Sequence, residues 1–85
     1  MELKQSSAKL NRSLIRGLEI LRCFKPGVDL LGNSEIAERT KLPPSTVSRL
    51  TQTLVLSGFL EHSKKDSAYR LAPTTLSLGH AYKTG

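Results

Sequence analysis

The chain has 85 residues, which is enough for one small domain and too few for a second independent core. Its 13 Lys and Arg against 7 Asp and Glu give a net charge of +6, which favours a polyanionic partner such as nucleic acid or an anionic membrane surface. The apolar runs are far shorter than the roughly 20 residues of a membrane span, and the N-terminus carries no apolar signal block. The only cysteine, Cys23, excludes an internal disulfide and a thiolate metal cluster within one chain, which fits a reducing compartment. Together with the short apolar runs, this leads us to expect a cytoplasmic protein without a membrane segment.

The first helix is expected after a flexible basic arm, residues 1–12, whose polar and charged side chains show no period. Ser13 is a suitable N-cap for a helix in "LIRGLEILRCF", which Pro26 and Gly27 end after about three turns. The apolar arc of this helix spans more than half of its circumference and is formed by Leu14, Ile15, Leu18, Ile20, Leu21 and Phe24. A single core needs a narrower arc, so we expect part of this face to contact another copy of the chain or a larger domain. Cys23 lies beside it and is interpreted as a packed core or interface thiol.

The segment "VDLLGN" predicts a short strand before a second helix, "SEIAERTK", for which Asn33 is the expected cap. Glu35 lies in the first turn, where the helix dipole favours negative charge. The helix is expected to bury one face and to place its charged residues in water, the buried face being formed by Ile36, Ala37 and Thr40.

A third helix is predicted from Pro44 to about Ser57, with Gly58 as the residue that ends it. One side of this helix is apolar and is formed by Val47, Leu50 and Leu54. The opposite side is small, polar and cationic, with Ser45, Arg49 and Gln52 flanked by Thr46, Ser48 and Thr53. The pattern therefore predicts one side in the core and the other in solvent.

Two short strands are predicted after Gly58, in "FLEHS" and "AYRLA", with "KKDS" as the hairpin loop between them. Leu60, Tyr69 and Leu71 should face the helices, and residues 74–85 predict the start of a further helix. The element order predicts a fold that is mainly α with a small β-hairpin. This is a winged helix-turn-helix over residues 13–73, with a three-helix core and a two- or three-stranded antiparallel wing.

Three stretches carry a resemblance to a known family: "SLIRGLEILRCF", "SEIAERTKLPPSTVSRLTQTLVLSGFLE" and "YRLAPTTLSLG". In order and spacing they resemble the N-terminal DNA-binding domain of IclR-type bacterial transcription regulators, over roughly residues 13 to 80. The resemblance implies a dimeric repressor or activator. It also implies a larger effector-binding domain after the helix that starts near Leu76, so that a small-molecule effector acts only through that domain and residues 74–85 begin the linker.

Lys41 departs from the pattern of that family, because such proteins often have glycine at this turn position. A turn of the usual shape would give Lys41 a positive φ, at a cost on the order of 1 kcal/mol. The side chain would then either reach a DNA phosphate or remain a solvated surface lysine.

The third helix suits the major groove of duplex DNA, because its leading residues, Ser45 and Thr46, are small enough to approach base edges. Arg49 lies one turn further on the same side, and its guanidinium can pair with guanine or clamp a phosphate. An alternative for Arg49 is an ordinary ion pair with a carboxylate. The next candidates on this side are Ser48, Gln52 and Thr53, although Ser48 could instead bond within its own helix.

The remaining DNA-binding candidates are expected to contact the sugar-phosphate backbone. Ser34 begins the second helix, where backbone amides and a hydroxyl can bind a phosphate. Lys64 and Lys65 at the hairpin tip would contact phosphates or the minor groove. The full set of backbone candidates is Arg16, Ser34, Lys41, Pro44, Lys64 and Lys65.

Two other functional classes receive less support from the sequence. His62 and His80 lack partners at metal-ligand spacing, and no catalytic group or phosphate-binding glycine loop has convincing context, so we expect neither an enzyme nor a cofactor. A winged-helix module that binds an acidic protein through its third helix remains an alternative. Such a helix should expose large apolar side chains that anchor the partner, and on the polar side of the third helix Leu56 is the one exception to the small and polar residues.

Overall fold

A computed structural model describes residues 9–25, 29–75 and 77–78. The described elements are helices α1 (Arg12–Arg22), α2 (Asn33–Thr40) and α3 (Pro44–Leu56), followed by strands β1 (Leu60–Ser63) and β2 (Ala68–Leu71). This order confirms the predicted winged helix-turn-helix. None of the helices in the described ranges is long and apolar enough to cross a membrane.

Helix α1 begins earlier than the sequence predicted, because Asn11 and not Ser13 is its N-cap. The Asn11 Oδ1 atom accepts a hydrogen bond from the Leu14 amide at 2.9 Å. Asparagine and serine are equally good caps, so starting at Asn11 lengthens the helix by two residues, about half a turn, without losing the cap. The helix ends at Arg22 with Cys23 as its C-cap, while the expected stop at Pro26 lies outside the described residues. Residues 1–8 of the expected arm lie outside them as well.

The cap of α2 was also predicted wrongly, because Gly32 and not Asn33 holds that position. The Gly32 amide donates a hydrogen bond to Glu35 Oε1 at 3.0 Å, which fixes the first turn. The Asn33 side chain contacts α3 instead, where its Oδ1 atom accepts from the Thr51 hydroxyl at 3.0 Å. At the other end, Lys41 caps α2 in the left-handed conformation, with φ 64° and ψ 21°, as predicted.

Helix α3 begins at the predicted residue, because the extended Pro43 cannot be helical and Pro44 is preorganised for a first helical position. It ends one residue before the predicted boundary, with Ser57 as C-cap and Gly58 at φ 88°. The core lies where α1, α2, α3 and β1 meet, and its buried side chains are Ile20, Phe24, Leu31, Ile36, Val47 and Leu60.

The hairpin is antiparallel, with Leu60 opposite Leu71 and His62 opposite Tyr69. Leu31 joins it through an isolated bridge to Tyr69, with backbone hydrogen bonds of 2.9 and 2.8 Å, so the predicted stub of strand is present. Residues 73–75 and 77–78 are helical, in agreement with the expected further helix, whereas residues 76 and 79–85 lie outside the described part.

Candidate nucleic-acid interface

The exposed side of α3 carries the side chains that the sequence assigned to DNA. Val47 and Thr51 are buried against the other helices. The exposed residues are Ser45, Ser48, Arg49, Gln52 and Thr53, with Thr46 half-buried beside them. The predicted orientation of α3 is therefore confirmed, and a ridge of hydroxyl, amide and guanidinium groups faces solvent.

Thr53 differs from its neighbours on this ridge, because its hydroxyl already donates to Arg49 O at 2.9 Å. Its only proton is used within the helix, so the oxygen can accept a hydrogen bond from a partner but not donate one. On a base edge, such an acceptor suits the amino group of cytosine or adenine.

Arg16 of α1 lies beside this ridge and lines a concavity of about 340 Å³ together with Arg49. The two guanidinium-bearing side chains thus approach one another from different helices, and Ser13, Thr46, Leu50 and Thr53 complete the lining. Two cations around one open concavity form a suitable place for a phosphate group. Both residues were predicted from the sequence, but their position on one concavity was not, because it arises from the packing of α1 against α3.

The cations assigned to DNA have no carboxylate partner among the residues that the structure describes. The described ion pairs join Arg39 to Asp29 at 3.7 Å and Arg70 to Glu61 at 3.3 Å. The unpaired set comprises Arg16, Lys41, Arg49, Lys64 and Lys65. The alternative in which Arg49 only neutralises a neighbouring acid is thus absent from the described contacts.

Lys41 and Ser34 lie at the two ends of α2. Lys41 is exposed in the turn that leads to α3, and Ser34 is exposed in the first turn of the helix. Pro44 is exposed at the first position of α3. These three positions lie on the surface, where a backbone phosphate can reach them.

The tip of the hairpin is a turn over residues 64–67 that exposes Lys64 and Lys65. Asp66, the acid in the same turn, is bound by Ser63, whose hydroxyl donates to Asp66 Oδ2 at 3.0 Å. Ser67 completes the turn with a φ of 49°. The turn geometry therefore engages the carboxylate and leaves both lysines in solvent.

Sequence reasoning missed Thr51, a buried polar residue that links α3 to α2. Its hydroxyl lies 3.0 Å from Asn33 Oδ1, 2.9 Å from Val47 O and 3.1 Å from Ser48 O. The signal was available, because Thr51 follows Val47 by one turn and so falls on the buried side of α3. A threonine among aliphatic residues on such a side requires a hydrogen-bond partner.

A second surface, the apolar face of α1, remains exposed in the single chain. Leu14 and Leu18 are 61% and 50% exposed, although both belong to the predicted apolar arc. They border a groove of about 540 Å³ between α1, the end of α3 and the helical residues after β2. Exposed apolar side chains of this size are typical of a contact surface.

The exposed side of α3 does not have the composition of a protein-docking helix. Among its 13 residues the only large apolar side chain in the exposed class is Leu56, which is 83% exposed at the far end. Hot spots of protein interfaces are enriched in Trp, Tyr and Arg seated in buried pockets. This surface offers an arginine without the surrounding apolar ring.

Comparisons with known proteins identify the domain to which α3 belongs. The IclR helix-turn-helix domain model matches residues 13–64. The chain is 45% identical over 78 residues to the HTH-type transcriptional regulator TsaQ1/TsaQ2 of Comamonas testosteroni, covering 92% of this chain and 28% of that protein. It is 36% identical over 70 residues to the Pca regulon regulatory protein of Pseudomonas putida, covering 82% of this chain and 23% of that protein.

Among solved structures, an IclR family transcriptional regulator from Brucella abortus superposes with a TM-score of 0.80 at 46% identity, covering 93% of this chain and 30% of that one. Pseudomonas aeruginosa HmgR superposes with a TM-score of 0.75 at 31% identity, over 84% of this chain and 29% of that one. The chain thus spans less than a third of the length of these relatives. On the match of its fold and of most of its helix-turn-helix sequence, the chain belongs to the IclR helix-turn-helix domain family.

Proposed function

We propose that this chain is the DNA-binding domain of a bacterial transcriptional regulator, and that it binds duplex DNA sequence-specifically with α3 in the major groove. The observation that carries the proposal is the exposed side of α3, where small hydroxyl residues lead and Arg49 follows one turn later. Small leading residues permit close approach to base edges, and an arginine behind them can read guanine O6 and N7. Family membership and the net charge of +6 support the same partner.

We assign base reading to the α3 ridge and positioning to the surrounding cations. Arg49 is the principal base contact, and the side chains that assist it are Ser45, Thr46, Ser48, Gln52 and Thr53. Phosphate contacts come from α1, the ends of α2, the start of α3 and the wing, through Arg16, Ser34, Lys41, Pro44, Lys64 and Lys65. Phosphate contacts of this kind supply much of the affinity and make it fall steeply with added salt.

We further propose that the chain acts as a homodimer through α1, whose exposed Leu14 and Leu18 remain uncovered in the single chain. Burying this apolar groove against a second copy removes it from water. Two copies of α3 would then enter successive major grooves about 34 Å apart on a near-palindromic site. A regulator of this kind acts where the chromosome is, so we place it in the bacterial cytoplasm with no catalytic role.

We also propose a division of the chain into three parts. Residues 13–73 form the DNA-binding unit, residues 1–12 a basic arm, and residues 74–85 the start of a linker helix. The relatives are more than three times longer than the stretch they share with this chain. We therefore assign effector binding to a further domain of the kind that completes those regulators, and no effector site to residues 13–73.

Selection of bound sites from random duplexes tests the proposal, followed by fluorescence-anisotropy titrations on the selected and substituted sites. Arg49→Ala should weaken binding by about 1 to 3 kcal/mol and relax the preference at one position of each half-site. Arg22→Ala is the matched control, because it removes the same charge from an exposed position near the end of α1. It should change binding only slightly.

Lys64→Ala separates positioning from reading. It should weaken binding to all duplexes alike and lower the slope of log affinity against log salt by about 1. Enrichment of no common site, or equal affinity of wild type and Arg49→Ala, would refute sequence reading by α3. An enriched site without two-fold symmetry would instead count against the homodimer.

A further inference from the structure

We propose that His62 is a DNA-binding residue at the base of the wing, where its imidazole contacts a phosphate of the strand that passes between α3 and the hairpin. The inference rests on the proposed function and adds to it a residue outside the base-reading ridge and the lysine tip. Four features of the structure support this role for His62: the face of β1 on which it lies, the concavity beside it, the contact of its ring with Tyr69, and the charges around that concavity.

The strand geometry places His62 on the side of the hairpin that faces α3. Side chains alternate between the two faces of a strand, so His62 shares the face of Leu60, which is buried in the core. Leu60 anchors this face against the helices, and His62, one step further from the core, is exposed. The imidazole is thus held beside α3 but open to solvent.

A concavity of about 400 Å³ separates His62 from α3. Its α3 side includes Ser48 and Gln52, two residues of the ridge assigned to DNA. The remaining lining is Val55, Leu56 and Tyr69. The concavity lies between these ridge residues and β1, which leads to the lysines at the hairpin tip, so a DNA strand that contacts both surfaces would pass beside His62.

The imidazole is supported by a rigid neighbour. The rings of His62 and Tyr69 are 4.8 Å apart between centroids at an interplanar angle of 50°, which is a tilted aromatic contact. The backbone of Tyr69 exchanges hydrogen bonds of 2.8 and 2.9 Å with Leu31, which is 2% exposed. His62 therefore packs against a residue whose backbone is tied to the core, and this contact lowers the entropy lost when a phosphate binds.

The charges around this concavity favour an anion. Helix α3 contributes only neutral side chains to it, and Tyr69 is the sole titratable group from β2 in its lining. Glu61 and Arg70 stand opposite one another on the other face of the hairpin and pair at 3.3 Å. At the tip, Lys64 and Lys65 are exposed, and Asp66 is bound by Ser63. The lining beside His62 thus contains no carboxylate, and the unpaired charged side chains at the hairpin tip are lysines.

Anisotropy titrations of the 85-residue chain on its selected duplex test the inference, over a salt series at about pH 8 and about pH 6, the range in which histidines change charge. His62→Gln keeps a hydrogen-bonding side chain without the charge, and His62→Phe keeps an aromatic ring against Tyr69. His80→Gln is the matched control, because it removes the only other histidine of the chain. Thermal melting of each variant shows whether it is folded, and if His62→Phe is unfolded, His62→Gln decides the test.

For wild type we expect affinity to rise about two- to fivefold on going to the lower pH, with a salt slope steeper by up to about 0.9. His80→Gln should keep both effects, and both His62 variants should lose them. Equal pH and salt responses in wild type and His62→Gln would overturn the inference, as would loss of both responses in His80→Gln. The proposed function is tested separately. It fails if the wild-type chain selects no common site. It stands, and only the role of His62 fails, if Arg49→Ala loses site preference while the His62 variants behave as wild type.

Discussion

Replacing Thr51 by valine should lower the free energy of unfolding by about 1 kcal/mol, although valine has nearly the same shape. The Thr51 hydroxyl lies 3.0 Å from Asn33 Oδ1 in α2 and 2.9 Å from Val47 O in its own helix. Val47 O accepts an amide proton within the helix in any case. The bond between helices is therefore the one that valine cannot replace, and its loss leaves the half-buried amide of Asn33 without its partner.

Thr53→Val is the matched control for this substitution. Thr53 lies on the same helix and donates to the carbonyl one turn earlier, Arg49 O at 2.9 Å, but it is exposed and forms no bond to α2 in the described contacts. We expect its replacement to change stability by less than about 0.5 kcal/mol. The difference between the two variants then isolates the interhelical bond from the loss of a helix hydroxyl.

Urea unfolding followed by circular dichroism gives both values, at one fixed protein concentration because dimerisation would contribute to stability. A loss of about 1 kcal/mol corresponds to a Tm lower by about 4 to 8 °C. A double-mutant cycle with Asn33→Ala should give a coupling energy of about 1 kcal/mol. Equal stabilities of Thr51→Val and Thr53→Val, or additive effects in the cycle, would refute the assignment of this bond as a link between α2 and α3.

Lys41→Gly relieves a left-handed conformation that costs about 1 to 2 kcal/mol, offset by about 0.4 to 1 kcal/mol of unfolded-state entropy. It should stabilise the chain by about 0.5 to 1 kcal/mol in urea unfolding and lower the salt slope of DNA binding by about 1 if the lysine contacts a phosphate. Gly17→Ala adds a Cβ that meets no heavy atom within 4 Å outside its chain neighbours and the local backbone of α1, so it should stabilise α1 by about 0.5 to 1 kcal/mol; a destabilised variant would show that something packs against Gly17. Gly58→Ala places a side chain at φ 88° and should cost at least about 1 kcal/mol, so an unchanged Tm would contradict this account of the end of α3. Burial raises the pKa of the Cys23 thiol, against an opposing effect of Arg39, so at about pH 8 it should react with a disulfide reagent more slowly in the folded chain than in urea.

The helices and the exposed face of α3 could be predicted because they depend on periodicity and on proline and glycine signals close in sequence. The caps could not be resolved in the same way, since Asn11 and Ser13 are both good caps. In α2 the choice depends on a distant partner, because Asn33 is bound by Thr51 and the cap falls to Gly32. The local sequence thus predicts that a helix begins near Gly32 and Asn33, and tertiary contacts determine which of the two is the N-cap.

Contacts between residues of different helices and strands could not be predicted from the local sequence either. Arg16 was expected on the DNA side of α1, but its approach to Arg49 follows from how α1 packs on α3. His62 was considered only as a metal ligand, because a single histidine in a strand carries no pattern of its own. Its neighbours in space come from α3 and β2, so its surroundings appear only once the hairpin is placed against α3.

The distribution of ion pairs shows how a small domain can keep its positive charge directed at a partner. Arg39 is used within the fold, where it donates to Cys23 O at 3.0 Å and pairs with Asp29. Four carboxylates of the described residues accept a hydrogen bond from a protein donor, namely those of Asp29, Glu35, Glu61 and Asp66. The exposed Glu19 and Glu38 accept none in the described contacts, and Glu19 lines a concavity of α1 together with Arg16. Carboxylates held in turns and caps cannot swing toward nearby lysines and arginines without breaking those bonds. The exposed lysines at the tip of the wing therefore have no free carboxylate in their own hairpin, and in the proposed complex their attraction to phosphate would make binding depend on salt.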